Sequence, residues 1–152
     1  MLERIQALVD EWSAKLSWLP PLLARVAIGI AFILTGLGKL KGLDGVIAFF
    51  GELGIPAPQI MAPFVAGTEL VGGIMLVLGL GTRIAALALA TTMAVATLTA
   101  VWPKLEDKAG IFAAIEIAYF VVFVWLAVAG PGPASVDHIL RKSIGRPSAN
   151  RF

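Results

Sequence analysis

Apolar positions along the chain gather into four long runs, each about the length of a helix that crosses a bilayer. They cover about 21–40, 61–80, 83–101 and 111–129, with short polar or proline-rich breaks between them. Ahead of them, residues 1–19 follow a helical period. Ile5, Leu8, Val9, Trp12 and Leu16 fall on one side, and Glu3, Arg4, Asp10, Glu11 and Lys15 fall largely on the other. This pattern predicts an amphipathic arm lying in the membrane interface, with Trp12 and Trp18 at headgroup level. Its mixed charge and the lack of a short apolar run ending at small residues set it apart from a cleaved signal peptide.

Pro20 and Pro21 open the first span, where a missing N–H costs no hydrogen bond. Between the first two spans, Val46, Ile47, Phe49, Phe50 and Leu53 make an apolar stretch too short to cross, closed by Gly54-Ile-Pro-Ala-Pro58. It predicts an interfacial or re-entrant helix. The turn Gly79-Leu-Gly-Thr-Arg83 is so short that spans two and three must be antiparallel neighbours. Small residues at Gly72 and Gly73 predict a close helix contact in span two. The expected architecture is an all-α integral membrane protein: a four-transmembrane-helix bundle over 20–140 with the N-terminal arm, a short interfacial helix between spans one and two, and a basic tail over 141–152.

Composition agrees with that pattern, since 59% of residues are hydrophobic, 14% are charged and the mean hydropathy is +0.90. The absence of cysteine excludes disulfides, a thiolate nucleophile and thiolate-bound metal. With one histidine, His138, a bis-histidine haem site within one subunit is excluded too, and no metal site is expected. No phosphate-binding loop, zinc signature or nucleic-acid module is present, so nucleic acid is not an expected partner. The bilayer is.

An even number of spans puts both termini on one side. Arg4, Lys15, Arg83, Arg141, Lys142, Arg146 and Arg151 fall there, against Lys39, Lys41, Lys104 and Lys108 opposite, so the termini are predicted to be cytoplasmic.

Charges inside the spans need partners, because a cation at bilayer depth costs at least roughly 2.5 kcal/mol. Arg25, Gly29, Phe32, Gly36 and Lys39 step by four and three residues and share one stripe of span one, which therefore faces protein. Glu69 and Glu116 are the acids inside the other spans, roughly six to eight residues from the outer face, or about 10 Å deep at a helix's rise. They are expected to meet Lys39 in an outer polar cluster, where two carboxylates beside one lysine cannot both stay charged cheaply. Phe112, Glu116, Tyr119 and Phe123 are spaced to share one face of span four, which is either core packing or the wall of a ligand pocket. Toward the cytoplasm, Asp137 is the expected partner of Arg25 or Arg83, a structural tether for the tail.

Arg25 with Gly36-Leu-Gly-Lys39-Leu, Leu53-Gly-Ile-Pro56, Glu69-Leu-Val-Gly-Gly73, Gly79-Leu-Gly-Thr-Arg83 and Gly130-Pro-Gly-Pro-Ala-Ser-Val-Asp137 occur in an order that resembles the DoxX family of small four-span bacterial membrane proteins. The resemblance covers about 22–137. It implies a place in the bacterial cytoplasmic membrane and a link to redox assemblies, one relative being a subunit of a thiosulfate:quinone oxidoreductase.

Three functions are then open. The chain is a membrane scaffold or accessory subunit holding a soluble redox partner, a role that needs no chemistry of its own and makes it no enzyme by itself. Alternatively it is an oxidoreductase subunit that binds a quinone at Glu69, Glu116 and Tyr119, with Lys39 tuning the acids and Phe112 and Phe123 lining the pocket. The third reading is a small proton-coupled transporter, for which a homodimer would supply the missing half.

Overall fold

The computed structural model describes residues 2–143, and over that length the chain is helical and loop, with no strand among the described residues. α1 (Leu2–Leu16) leads through a two-residue turn into α2 (Leu19–Lys41), α3 (Leu43–Glu52) and α4 (Pro58–Leu78). α5 (Thr82–Ala96) follows, then α6 (Ile115–Ala129) and α7 (Val136–Ser143). Among the described residues three stretches are long and apolar enough to cross a membrane: Leu19–Lys41, Pro58–Leu78 and Thr82–Lys104. Of the basic tail expected over 141–152, Arg141, Lys142 and Ser143 end α7, and the rest lies outside the described residues.

The third long helix changes pitch along its length. Beyond Ala96 it widens into a π-helical turn over Thr97–Val101 and then tightens to 3₁₀ over Trp102–Lys104. Two causes lie in the sequence. The Thr97 and Thr99 hydroxyls donate back to the carbonyls of Met93 and Val95, both at 2.8 Å, a bond that bends helices. Pro103 then offers no N–H to the turn before it.

The fourth apolar run differs from the expected 111–129. α6 starts at Ile115, because Ala114 is extended (φ −72°, ψ 132°) and Lys108–Ala113 is a separate 3₁₀ segment. That segment is started by Asp107, whose carboxylate accepts the Ala109 N–H at 3.0 Å. The 15 residues of α6 reach about 22 Å at a helix's rise, less than the roughly 30 Å of a hydrocarbon core.

The core lies where α2, α4, α5 and α6 meet, around Phe32, Leu76, Leu89, Met93, Phe123 and Leu126. The most extensive contact is that of α2 with α4. Glycines make it close: a Cβ on Gly36 would stand 2.6 Å from the Leu70 nitrogen, and one on Gly73 would stand 2.7 Å from the Gly29 oxygen. The backbones therefore touch directly, as small residues allow in lipid.

Candidate functional site

The buried residues of α2 are Arg25, Gly29, Phe32 and Gly36. They are the stripe expected from their spacing, and they face the other helices. Lys39, the next step on that stripe, sits in the last turn of α2 with a third of its side chain exposed. Because Gly36 lets α4 approach, Lys39 Nζ reaches Glu69 Oε1 at 2.5 Å. Glu69 lies midway along α4 and is 2% exposed, and its second oxygen, Oε2, is buried without a hydrogen-bond partner. A buried charge is tolerable only when paired, which is what Lys39 provides.

Glu116 does not join this pair. The ion pairs among the described residues are Lys39–Glu69 and Lys15–Glu11. Half-buried Glu116 stands in the first turn of α6, where a carboxylate is favoured by the positive end of the helix dipole. The expected stripe on span four also divides. Phe112 lies in the 3₁₀ segment and is 83% exposed, since the break at Ala114 cancels the four-residue spacing that would align it with Glu116.

Tyr119 and Phe123 do face inward and enclose Phe32. The Phe32 ring meets them edge-on at 5.2 and 5.0 Å between centroids, and the two are near-parallel at 6.4 Å. Offset and edge contacts of this kind favour one fixed arrangement of the three rings. They join α2 to α6 in the core.

At the other end of the bundle the tether forms through backbone rather than through an ion pair. Arg25, 0% exposed, donates from Nη2 to the Ala134 carbonyl at 2.5 Å and from Nε to the Pro21 carbonyl at 3.3 Å, while Nη1 is buried without a partner. Its guanidinium occupies the place where a Cβ on Gly79 would stand. Asp137 spends its carboxylate on the N–H groups of Gly81 (2.8 Å) and Thr82 (3.2 Å), and its own N–H donates to the Gly79 carbonyl at 3.0 Å. Arg83 is exposed, with its guanidinium packed against Gly130.

The reason is local. α5 begins after Gly81, which has no side chain with which to cap the orphan N–H groups of the first turn, and Asp137 supplies the missing acceptor from the far end of the chain. Ser135 is a further participant that spacing did not indicate. Its hydroxyl donates to the Gly132 carbonyl at 2.8 Å and accepts the His138 N–H at 3.2 Å. The signal that points to the Asp137 contact is the uncapped Gly79-Leu-Gly81 turn.

Among the described residues no group of three or more histidines, cysteines, aspartates or glutamates is gathered to hold a metal. The chemistry on view is thus a part-buried ion pair whose carboxylate has one unsatisfied oxygen, and a backbone-bound latch at the opposite end.

A family model described as DoxX matches residues 21–102. The "Putative oxidoreductase CatD" of Bacillus subtilis (strain 168) is 36% identical over 131 residues, covering 85% of this chain and 91% of that protein. "Inner membrane protein YphA" of Escherichia coli (strain K12) is 32% identical, covering 76% of this chain and 86% of its own. "Inner membrane protein YqjF" of the same organism is 32% identical, over 80% and 92%. No solved structure matches significantly.

Proposed function

The chain belongs to the DoxX family, and from that membership we propose that it is an integral inner-membrane scaffold or accessory subunit of a redox-linked assembly, whose electron chemistry resides in a soluble partner. The name of the Bacillus relative supports the redox link, and those of the Escherichia relatives support the membrane. The observation that carries the scaffold reading is the Lys39–Glu69 pair. The one acid buried deep in α4 is closed at 2.5 Å by a lysine of α2, across the most extensive helix contact among the described residues. Such a pair fixes the register of two helices.

In this reading the protein crosses the membrane four times with both termini cytoplasmic. α6 makes the last crossing together with the 3₁₀ segment Lys108–Ala113, whose six residues add about 12 Å. The decisive experiment is native mass spectrometry of the protein purified in mild detergent from its own membranes. A soluble redox protein arriving in fixed stoichiometry is expected. A chain that arrives alone from membranes where the assembly is intact refutes the scaffold role.

A second reading rests on the unsatisfied Oε2 of Glu69. A buried carboxylate oxygen without a donor accepts one readily: the hydroxyl of a quinol would provide it in the reduced form, and in the oxidised form Lys39 would donate to the quinone carbonyl instead. This reading predicts a stoichiometric quinone in the same spectra, lost on Glu69→Gln with protein levels unchanged. Loss of the protein itself assigns Glu69 to the architecture. A quinone unaffected by Glu69→Gln but lost on Glu116→Gln moves the site to α6.

A further inference from the structure

The apolar stripe of α1 is unpartnered: Leu2, Ile5, Val9, Trp12 and Leu16 are all exposed, Trp12 by 63%. These positions step by three and four residues, and the stepping does not stop at the end of α1. It runs on through Leu19 to Leu23, Ile30, Leu34 and Leu37, which form the exposed apolar face of α2. Trp18, at the joint, keeps right-handed helical angles (φ −76°, ψ −23°), so the register of the stripe is preserved across it. The face that α1 leaves bare is therefore a continuation of the face that α2 turns to lipid.

The joint itself is weak by construction. Pro20 and Pro21 have no N–H to offer the carbonyls of Leu16 and Ser17, so the two hydrogen bonds that would make α1 and α2 one rod cannot form. An unbroken rod over 2–41 would be about 60 Å long, twice a hydrocarbon core, and would carry the stripe out into water. Instead, an open groove of about 510 Å³ runs along the stripe side of the joint, lined by Val9, Trp12, Ser13, Leu16, Ser17 and Pro20. The concave side of the joint is the apolar side.

We infer that α1 is a proline-hinged arm that folds at Ser17–Pro21 onto the bilayer surface, with its apolar stripe in the boundary between headgroups and acyl chains and an acyl chain in the groove. The occupant of the stripe is lipid, for three reasons. The stripe continues a lipid-facing surface in register. It carries Trp12 beside Trp18, and tryptophan favours that depth. Its flanks lack the paired charges with which a two-stranded coil selects a second copy, and α1 holds only about two heptads. The inference needs only that α2 is a membrane span, and it stands whether or not a redox partner is found.

The chain has no cysteine, so a single introduced one reports without background. Val9→Cys and, about 100° round the helix on its charged side, Asp10→Cys each carry a nitroxide in the full-length protein. The protein is reconstituted into phosphatidylethanolamine–phosphatidylglycerol vesicles, and collisions with oxygen and with a water-soluble nickel chelate are measured. The Val9 label is expected to favour oxygen several-fold, as a label at Leu23→Cys does, while the Asp10 label favours nickel. A Val9 label open to nickel overturns the inference, because the arm then projects into water. A Val9 label shielded from both reagents overturns it too, because protein then covers the stripe. Pro20→Ala with Pro21→Ala restores the missing donors and is expected to move the Val9 label toward nickel. No change there refutes the hinge.

Discussion

Replacing Gly36 with alanine tests the α2–α4 contact directly. The new Cβ would stand 2.6 Å from the Leu70 nitrogen and 2.9 Å from the Ala66 oxygen, both backbone atoms that cannot rotate away. Ordinary contact begins near 3.4 Å, so the helices must part by about 0.8 Å at that level. A gap of about 0.5–1 Å forfeits a quarter to a half of the attraction of each atom pair across it. The expected loss is about 1–3 kcal/mol, in the range of overpacked cores. Gly38→Ala is the matched control, two residues away on the same helix with nothing within 4 Å of its Cβ. There alanine meets no obstacle and gains helix propensity, worth about 0.5–1 kcal/mol in the opposite direction. The assay is unfolding of the detergent-solubilised protein by dodecyl sulfate, followed by circular dichroism. Equal midpoints for the two variants would refute the backbone-to-backbone packing of α2 on α4.

Three further outcomes are expected in the same assay. Lys39→Met strands the Glu69 carboxylate and costs about 3–5 kcal/mol, whereas Lys39→Met combined with Glu69→Met restores most of it; additive losses would show that the two residues are not coupled. Asp137→Ala uncaps α5 and costs about 1–2 kcal/mol, with Asp137→Asn losing less because its amide keeps an acceptor, and the change should also expose the segment after Gly130 to protease. Phe123→Ala opens a cavity beside Phe32 and Tyr119 and costs about 3 kcal/mol, while Phe112→Ala, at an exposed position, stays within about 0.5 kcal/mol; comparable effects at both positions would mean that the aromatic stripe is continuous after all.

The parts of this arrangement that periodicity could reveal were those held within one unbroken helix. Arg25, Gly29, Phe32 and Gly36 share a face because α2 runs without interruption from Leu19 to Lys41, and the burial of that face follows from the cost of exposing Arg25 to lipid. The same logic failed for Phe112, because a spacing of four has meaning only if the intervening backbone is helical, and Ala114 is not. The Lys39–Glu69 contact was accessible from charge alone, there being few acids at depth. The grouping of Glu116 with it was not, since a helix terminus can satisfy a carboxylate without any cation. At the other end, counting charges suggested a salt bridge for Asp137. The competing acceptor-seekers were uncharged: the N–H groups of Gly81 and Thr82, orphaned by a turn too tight to carry a capping side chain.

That cap has a consequence for how the protein is made. The acceptor that completes the start of α5 lies 55 residues further along the chain than Thr82, beyond α6. Until the chain beyond α6 has been made, the turn between α4 and α5 lacks this cap, and Arg25 has no Ala134 carbonyl to hold. Both deficits are removed by one short stretch, Gly130 to Asp137, which follows α6 in the chain. Synthesis that stops short of Asp137 therefore leaves α2 to α6 in place but the turn before α5 uncapped and Arg25 without its carbonyl, so the end of the bundle that holds this turn is undone.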